Sequence, residues 1–238
     1  MRWTLLALCA ALALGAGCDQ LPGRPQRAER SPRPSQVMDF ATLYGENCAG
    51  CHGDERRPGA AVPLADPVYL ALADDAMLKR VTANGVPGTA MPGFARRAGG
   101  SLTDDQVDVI VREMRSRWAR PGALGGASPP PYAAAPGDAG RGATAYAARC
   151  ASCHGLAGTS AEHGGSVVDG SYLALVSDQG LRTAILVGRP ALGMPDWRGD
   201  RATTPMSAQE IADVVGWLVQ KRRKTPGQPY PTQERTDG

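Results

Sequence analysis

Two short stretches of the sequence, residues 48–52 and 150–154, have the pattern Cys-x-x-Cys-His. Two thiols one helical turn apart can add to the two vinyl groups on one edge of a haem. The histidine that follows can then bind the iron through an imidazole nitrogen. The pattern therefore indicates covalent attachment of c-type haem. The predicted attachment thiols are Cys48 and Cys51 in the first stretch and Cys150 and Cys153 in the second.

Two other kinds of site also use paired cysteines. Zinc ribbons separate their two cysteine pairs by about 15–20 residues, whereas residues 51 and 150 lie far beyond that spacing. A dithiol pair of the thioredoxin type is expected beside a βαβ pattern, which this sequence does not display. Because the motif occurs twice within one longer pattern, haem attachment is the favoured interpretation.

The longer pattern is an internal repeat that spans most of the chain. Its two copies are offset by 102 residues at the cysteines and by 103 to 104 further along, so the second copy carries two single-residue insertions. Each copy has a Met-Pro pair about forty residues after its histidine. The matching positions include Tyr44 and Tyr146, Tyr69 and Tyr172, Gly85 and Gly188, Met91 and Met194, and Phe94 and Trp197.

Only one pair of methionines occupies equivalent positions in both copies, namely Met91 and Met194. Each is followed by proline, which removes a backbone donor and stiffens the loop that holds the sulfur. Three other methionines align with glycine or leucine and are predicted to pack in the core or to staple a helix start. These are Met77, Met114 and Met206.

These motifs resemble the class I cytochromes c in a dihaem arrangement, over residues 38–118 and 139–221. The resemblance implies a mainly α fold, in which two tandem helical haem domains carry two haem c groups. It implies that a Met in a Met-Pro loop lies opposite the histidine, and that the last helix of each domain packs over the first. The axial pairs would be His52 with Met91 and His154 with Met194.

The resemblance implies one-electron transfer, because six-coordinate iron leaves no open position for a substrate. Expected redox partners are a quinol-oxidising complex, a terminal oxidase, a photosynthetic reaction centre or a dehydrogenase. Two alternatives stay open. The chain could be a cytochrome subunit of a larger oxidoreductase, or a dihaem enzyme such as a peroxidase or a thiosulfate dehydrogenase. The Met-Pro pair in both copies disfavours the enzyme.

The amino terminus has a positive start followed by an apolar run that is too short to span a bilayer. Residues 1–17 are predicted to be a secretory signal peptide, and the residues before Cys18 resemble a lipoprotein cleavage box. Leu14 departs from that box, since it lies four rather than three residues before the cysteine. We expect lipidation at Cys18 and a periplasmic protein held at the membrane by a tether over 18–37. Ordinary cleavage that leaves a free thiol is the alternative.

Residues 119–138 are rich in proline, glycine and alanine and are predicted to be a linker between the domains, flexible in part. Residues 222–238 are predicted to be a disordered tail. The net charge is +3, yet residues 38–118 hold nine basic and eleven acidic residues. This distribution does not favour nucleic-acid binding. The basic residues at 221–224 are either a solvated end or a weak contact for anionic lipid.

Helical periodicity predicts first helices over 40–51 and 140–153, middle helices over 74–84 and 178–187, and last helices that begin after residues 103 and 207. Both last helices start with a capping-box pattern. His163 has no counterpart in the first copy. It is interpreted as a surface or propionate-contacting residue, the alternative being replacement of Met194 in some state. Further candidate propionate contacts are Arg96, Arg97, Arg189, Trp197 and Arg198.

Overall fold

The computed structural model describes residues 31–159, 164–199 and 204–224. The predicted signal peptide, Cys18, His163 and residues 225–238 of the predicted tail lie outside the described residues. The described residues from Met38 onward belong to one compact unit that contains both repeats, and residues 31–37 lie outside it. None of the described helices is long and apolar enough to cross a membrane.

The structure is mainly helical, and isolated bridges are the only β pairing among the described residues. Five helices form the first repeat: α1 Phe40–Asn47, α2 Ala49–His52, α3 Pro67–Leu72, α4 Asp75–Asn84 and α5 Asp104–Trp118. Five more form the second repeat in the same order: α6 Ala139–Arg149, α7 Ala151–His154, α8 Gly170–Leu175, α9 Asp178–Val187 and α10 Ala208–Val219. A 3-10 turn precedes the last helix of each repeat, at Arg96–Ala98 and Pro190–Leu192.

The helix ends follow local rules that the sequence displays. Thr103 and Gln106 form one capping box and Ser207 and Glu210 the other, as predicted. The short helices α3 and α8 were not predicted. Each begins after an aspartate whose carboxylate caps the helix start. Asp66 accepts two backbone N–H groups before α3, and Asp169 accepts one before α8.

The predicted first helix over 40–51 is wrong in one respect, because it breaks at Cys48. The backbone there leaves the helical region, with φ −122° and ψ −43°, and α2 begins at the next residue. The hydrogen bonds nevertheless run through the break, since Cys48 N–H donates to Tyr44 and His52 N–H donates to the Cys48 carbonyl. Cys150 breaks the second copy at the same position.

The last helix of each repeat packs on the first, as the resemblance implied. In the first repeat the contact is an aromatic cluster in which the Tyr44 and Trp118 rings meet edge-on at 4.9 Å. In the second repeat Tyr146 and Trp217 stack at 4.3 Å. These contacts hold the helix that precedes each Cys-x-x-Cys-His turn against the core.

The two repeats also contact each other. Helix α9 packs on α3, and the Ala90 N–H donates to the Leu175 carbonyl over 3.0 Å. The predicted linker takes part in this packing. The guanidinium of Arg182, 1% exposed, donates from Nε to the carbonyls of Pro131 and Tyr132 at 3.1 Å. This packed segment differs from the flexible connection that the composition of residues 119–138 suggests.

Candidate haem-binding sites

The first cysteine of each motif immediately precedes α2 or α7, the second lies within that short helix, and none of the four forms a disulfide. The second cysteine of each motif is exposed, while Cys48 is buried and Cys150 half-buried. Burial raises the pKa of Cys48 to about 12 and that of Cys150 to about 11. Burial therefore favours the protonated form of both groups at neutral pH.

A tyrosine fixes the end of each attachment turn. The Tyr44 hydroxyl donates to the carbonyl of Gly53 over 2.8 Å, and the Tyr146 hydroxyl donates to the carbonyl of Gly155 over 2.9 Å. Each accepting glycine follows the motif histidine and has a positive φ, 72° and 75°. The paired tyrosines of the sequence repeat thus serve the turn that carries the histidine.

Each motif histidine has a backbone carbonyl beside one ring nitrogen. Nδ1 of His52 lies 2.7 Å from the Val62 oxygen, and Nδ1 of His154 lies 2.9 Å from the Gly165 oxygen. A carbonyl can only accept, so Nδ1 carries the proton and Nε2 keeps its lone pair for a metal. Burial lowers the pKa of His52, which favours the neutral, ligating form.

Each Met-Pro pair lies in a loop that a glycine makes possible. Helix α4 ends at Gly85 and α9 at Gly188, both with positive φ. A Cβ on Gly85 would lie 2.7 Å from the Met91 carbonyl oxygen, and one on Gly188 would lie 2.6 Å from the Asp196 nitrogen. The glycines therefore supply both the turn and the space through which the loop returns.

The same backbone hydrogen bond closes both loops. Val86 N–H donates to the Met91 carbonyl and Arg189 N–H donates to the Met194 carbonyl, each over 2.9 Å. Both methionine side chains are half-buried. Met91 and Met194 thus share this backbone bond, but their own N–H groups differ in partner, which is Thr89 Oγ1 for Met91 and the Arg189 carbonyl for Met194. Ligation of iron by either methionine stays a prediction.

These residues fit a covalently bound haem. Free thiols, a neutral imidazole with an available Nε2, and a thioether on a stiff loop are the donor groups that haem c uses. Bound there, the group would supply an iron that cycles between the ferrous and ferric states. Among the described residues, no three histidine, cysteine, aspartate or glutamate side chains cluster closely enough to hold a metal ion by themselves.

The arginines predicted to contact haem propionates have protein partners in this structure. Arg97 pairs with Asp104. Arg198 pairs with Asp196 and lies over the buried ring of Trp197, 5.0 Å from its centroid. Arg189 donates to carbonyls of the other repeat. Propionate contacts by these residues and by Arg96 stay predictions.

Sequence reasoning missed the carbonyls of Val62 and Gly165, which orient the two histidines. A backbone carbonyl leaves no trace in residue type, so no signal could have identified them. The partners of the two tyrosines were missed as well, although a signal existed. Tyr44 and Tyr146 each lie four residues before the first cysteine of a motif.

The duplicated helical fold and the Cys-x-x-Cys-His sites define a c-type cytochrome, with covalently bound haem c. The sequence matches the family described as "Cytochrome C oxidase, cbb3-type, subunit III" at residues 35–112 and again at 137–218. The chain belongs to this family. The two matches coincide with the two copies of the repeat, in agreement with tandem domains.

Similar proteins of known name include cytochrome c subunits of the cytochrome bc1 complex. The one from Mycobacterium leprae is 26% identical over 229 residues, which cover 92% of this chain and 74% of that protein. The one from Mycobacterium tuberculosis is 25% identical and covers 94% and 78%. Among solved structures, a chain of the Kuenenia stuttgartiensis reducing HAO-like protein complex aligns with a TM-score of 0.42 at 16% identity. That alignment covers 82% of this chain and all of the other.

Proposed function

We propose that this protein carries two haem c groups with His/Met ligation and relays single electrons between respiratory proteins. The observation that carries the proposal is the duplication of the whole site. Both copies have a tyrosine bond to the turn, a carbonyl at the histidine Nδ1, and a glycine-shaped Met-Pro loop. A copy that had lost its role would not be expected to keep all three.

Methionine ligation sets the range of both haem potentials. A Met/His pair raises the potential of haem iron compared with a His/His pair. The carbonyl that accepts from each Nδ1 modulates the basicity of the imidazole. The chain therefore sets two potentials with its own ligands and carbonyls, and substrate chemistry is not required of either site.

The partner we favour is a quinol-oxidising complex of which this chain is a cytochrome subunit. The support is the similarity to cytochrome c subunits of the cytochrome bc1 complex, which extends over 92% of this chain. An oxidase, a reaction centre or a dehydrogenase would serve equally as the second redox partner. Purification in mild detergent tests the choice, because a subunit travels with its complex whereas a free shuttle elutes alone.

The number of haems is tested by the intact mass of protein that has matured with haem attachment. We expect the mass of the polypeptide plus two haems, because each copy offers two thiols and one histidine. The haem should resist extraction with acidified acetone, since thioether bonds hold it. A single haem addition, or release of haem into the acetone, would contradict the proposal.

We also propose that Cys18 is lipidated and holds the protein on the periplasmic side of a membrane. The support is the small-residue box that follows a signal-like run. Cys18→Ser is expected to move the protein from the membrane fraction to the soluble periplasmic fraction, since a single change removes the lipid acceptor. Wild-type protein that is already soluble and unacylated would rule out the anchor.

The enzymatic alternative needs an open position at one iron. Both copies close the Met-Pro loop with the same backbone bond to the methionine carbonyl, so this bond singles out neither repeat as a reactive site. Rapid peroxide binding by a high-spin haem in wild-type protein would replace the relay with a peroxidase-type function.

A further inference from the structure

One side chain of the second repeat reaches into the first repeat, close to the segment that orients His52. Arg189 follows the glycine that ends α9, and its guanidinium points out of its own repeat. Nη1 donates to the carbonyl of Ala60 over 3.1 Å, and Nη2 donates to the carbonyl of Gly59. One planar group thereby binds two successive carbonyls of the other copy.

The segment that Arg189 binds is the one that orients His52. Ala61 N–H donates to the Cys51 carbonyl over 2.9 Å, and the next carbonyl, that of Val62, lies 2.7 Å from Nδ1 of His52. Gly59 lies so close to the attachment turn that a Cβ would collide with the carbonyl oxygen of Cys51. A shift of this segment would therefore change the hydrogen bond to the first histidine.

The backbone of the same residue holds the ligand candidate of the second repeat. Arg189 N–H donates to the Met194 carbonyl over 2.9 Å, and Met194 N–H donates back to the Arg189 carbonyl over 3.2 Å. The two residues form an isolated antiparallel bridge. Arg189 is thus bonded to the distal loop of one site and to the histidine-orienting segment of the other.

The first repeat has no comparable side chain at this position. Val86 occupies the place of Arg189 in the repeat and makes the same backbone bond to Met91, but an aliphatic side chain cannot donate to a carbonyl. The link in the opposite direction, from Ala90 N–H to the Leu175 carbonyl, is made by backbone atoms alone. The arginine bridge is therefore a feature of one copy only.

We propose that Arg189 is a positioning residue that couples the two haem sites. It holds residues 59–60, and through them the carbonyl of Val62, in register with the Met194 loop. The inference rests on the proposed function in one respect, namely that both sites carry haem. Its distinctive consequence is that a substitution in the second repeat changes the haem of the first, because the hydrogen bond to an axial imidazole tunes the iron.

The test compares Arg189→Gln with Arg80→Gln in the full chain loaded with haem. Arg80 is an exposed residue of α4, so its replacement removes the same charge and no bridge between the repeats. The two potentials are measured by spectroelectrochemistry, and the first haem is assigned as the one whose potential falls in Met91→His. Proton NMR of the ferric protein gives a second readout through the shifted methyl resonances of each haem.

We expect Arg189→Gln to change the redox equilibrium of the first haem at least twofold, or about 18 mV at 59 mV per factor of ten. Its methyl resonances should move as well, while Arg80→Gln leaves both readouts unchanged. Arg189→Lys should resemble Arg189→Gln, because an ammonium cannot span two carbonyls as the guanidinium fork does.

Three results would overturn the coupling. These are a change confined to the second haem, an equal change in Arg80→Gln, or a wild-type response from Arg189→Lys. A failure of the proposed function is distinguishable from all three. It would already appear in the wild type, as a single haem in the intact mass or as a high-spin iron.

Discussion

Met91→His and Met194→His are each expected to lower the midpoint potential of one haem and leave the other nearly unchanged. The thioether stabilises the ferrous state relative to an imidazole ligand, so its removal favours the ferric state. We expect the shift to exceed about 59 mV, which corresponds to a factor of ten in the one-electron equilibrium. The weak near-infrared band of ferric His/Met haem should be halved in either variant and absent from the double variant.

Two methionines outside the Met-Pro loops provide the matched controls. Met206 packs against the core cluster of the second repeat, and Met77 lies in the first turn of α4. Met77→Leu and Met206→Leu conserve apolar volume and should leave both potentials and the near-infrared band as in the wild type. A loss of the near-infrared band in either control would mean that the comparison of the two copies had identified the wrong methionine as the iron ligand.

Gly188→Ala is expected to destabilise the second haem site more than Gly193→Ala does. Gly193 is left-handed, with φ 81° and ψ 2°, where alanine costs about 1–2 kcal/mol. Gly188, with φ 69° and ψ −164°, lies in a region that essentially only glycine adopts, at a cost of about 1–3 kcal/mol for alanine. At Gly188 the new Cβ also meets the backbone of Pro195 and Asp196, whereas at Gly193 no described atom lies within 4 Å. Overpacking adds about 1–3 kcal/mol. The expected losses are therefore about 2–6 kcal/mol at Gly188 and about 1–2 kcal/mol at Gly193.

The measurement is the free energy of unfolding of the haem-loaded protein in denaturant, read together with the near-infrared band. Gly85→Ala and Gly88→Ala repeat the comparison in the first copy, since only Gly85 has the returning loop against it. If the two variants of a pair lose equal free energy of unfolding, the loop does not require the open space beside Gly85 or Gly188. A band that weakens only in Gly85→Ala and Gly188→Ala would tie that space to methionine ligation.

The helices could largely be predicted from the sequence because their signals are local. The capping box of Thr103 and Gln106 specifies a helix start within four residues, and the structure contains it. The ligand candidates were found in a different way, by comparing the two copies. Iron ligation would require a methionine at the same position in both copies. Met91 and Met194 meet this requirement, whereas Met77 and Met206 do not.

The remaining features depend on contacts between distant residues. The break at Cys48 could not be predicted, because no proline lies near it and Gly45 and Gly50 each cost a helix only about 1 kcal/mol. The packing of the linker was also missed, because its proline and alanine content indicates local flexibility and carries no information about contacts with distant residues. Arg182 lies fifty residues beyond Tyr132 in the sequence, and nothing in residue type reveals that its guanidinium binds the Tyr132 carbonyl.

Tyr69 and Tyr172 occupy the same place in the two copies but differ in surroundings. Tyr69 is 7% exposed and buried beside Tyr132, while Tyr172 is 41% exposed. After a duplication, two identical residues are thus under unequal selection. Replacements at the partly exposed Tyr172 disturb less packing and can accumulate, whereas replacements at Tyr69 must preserve a packed interior. Sequence differences between the two repeats will therefore depend on which positions are packed in the interior, as well as on which residues bind the haem.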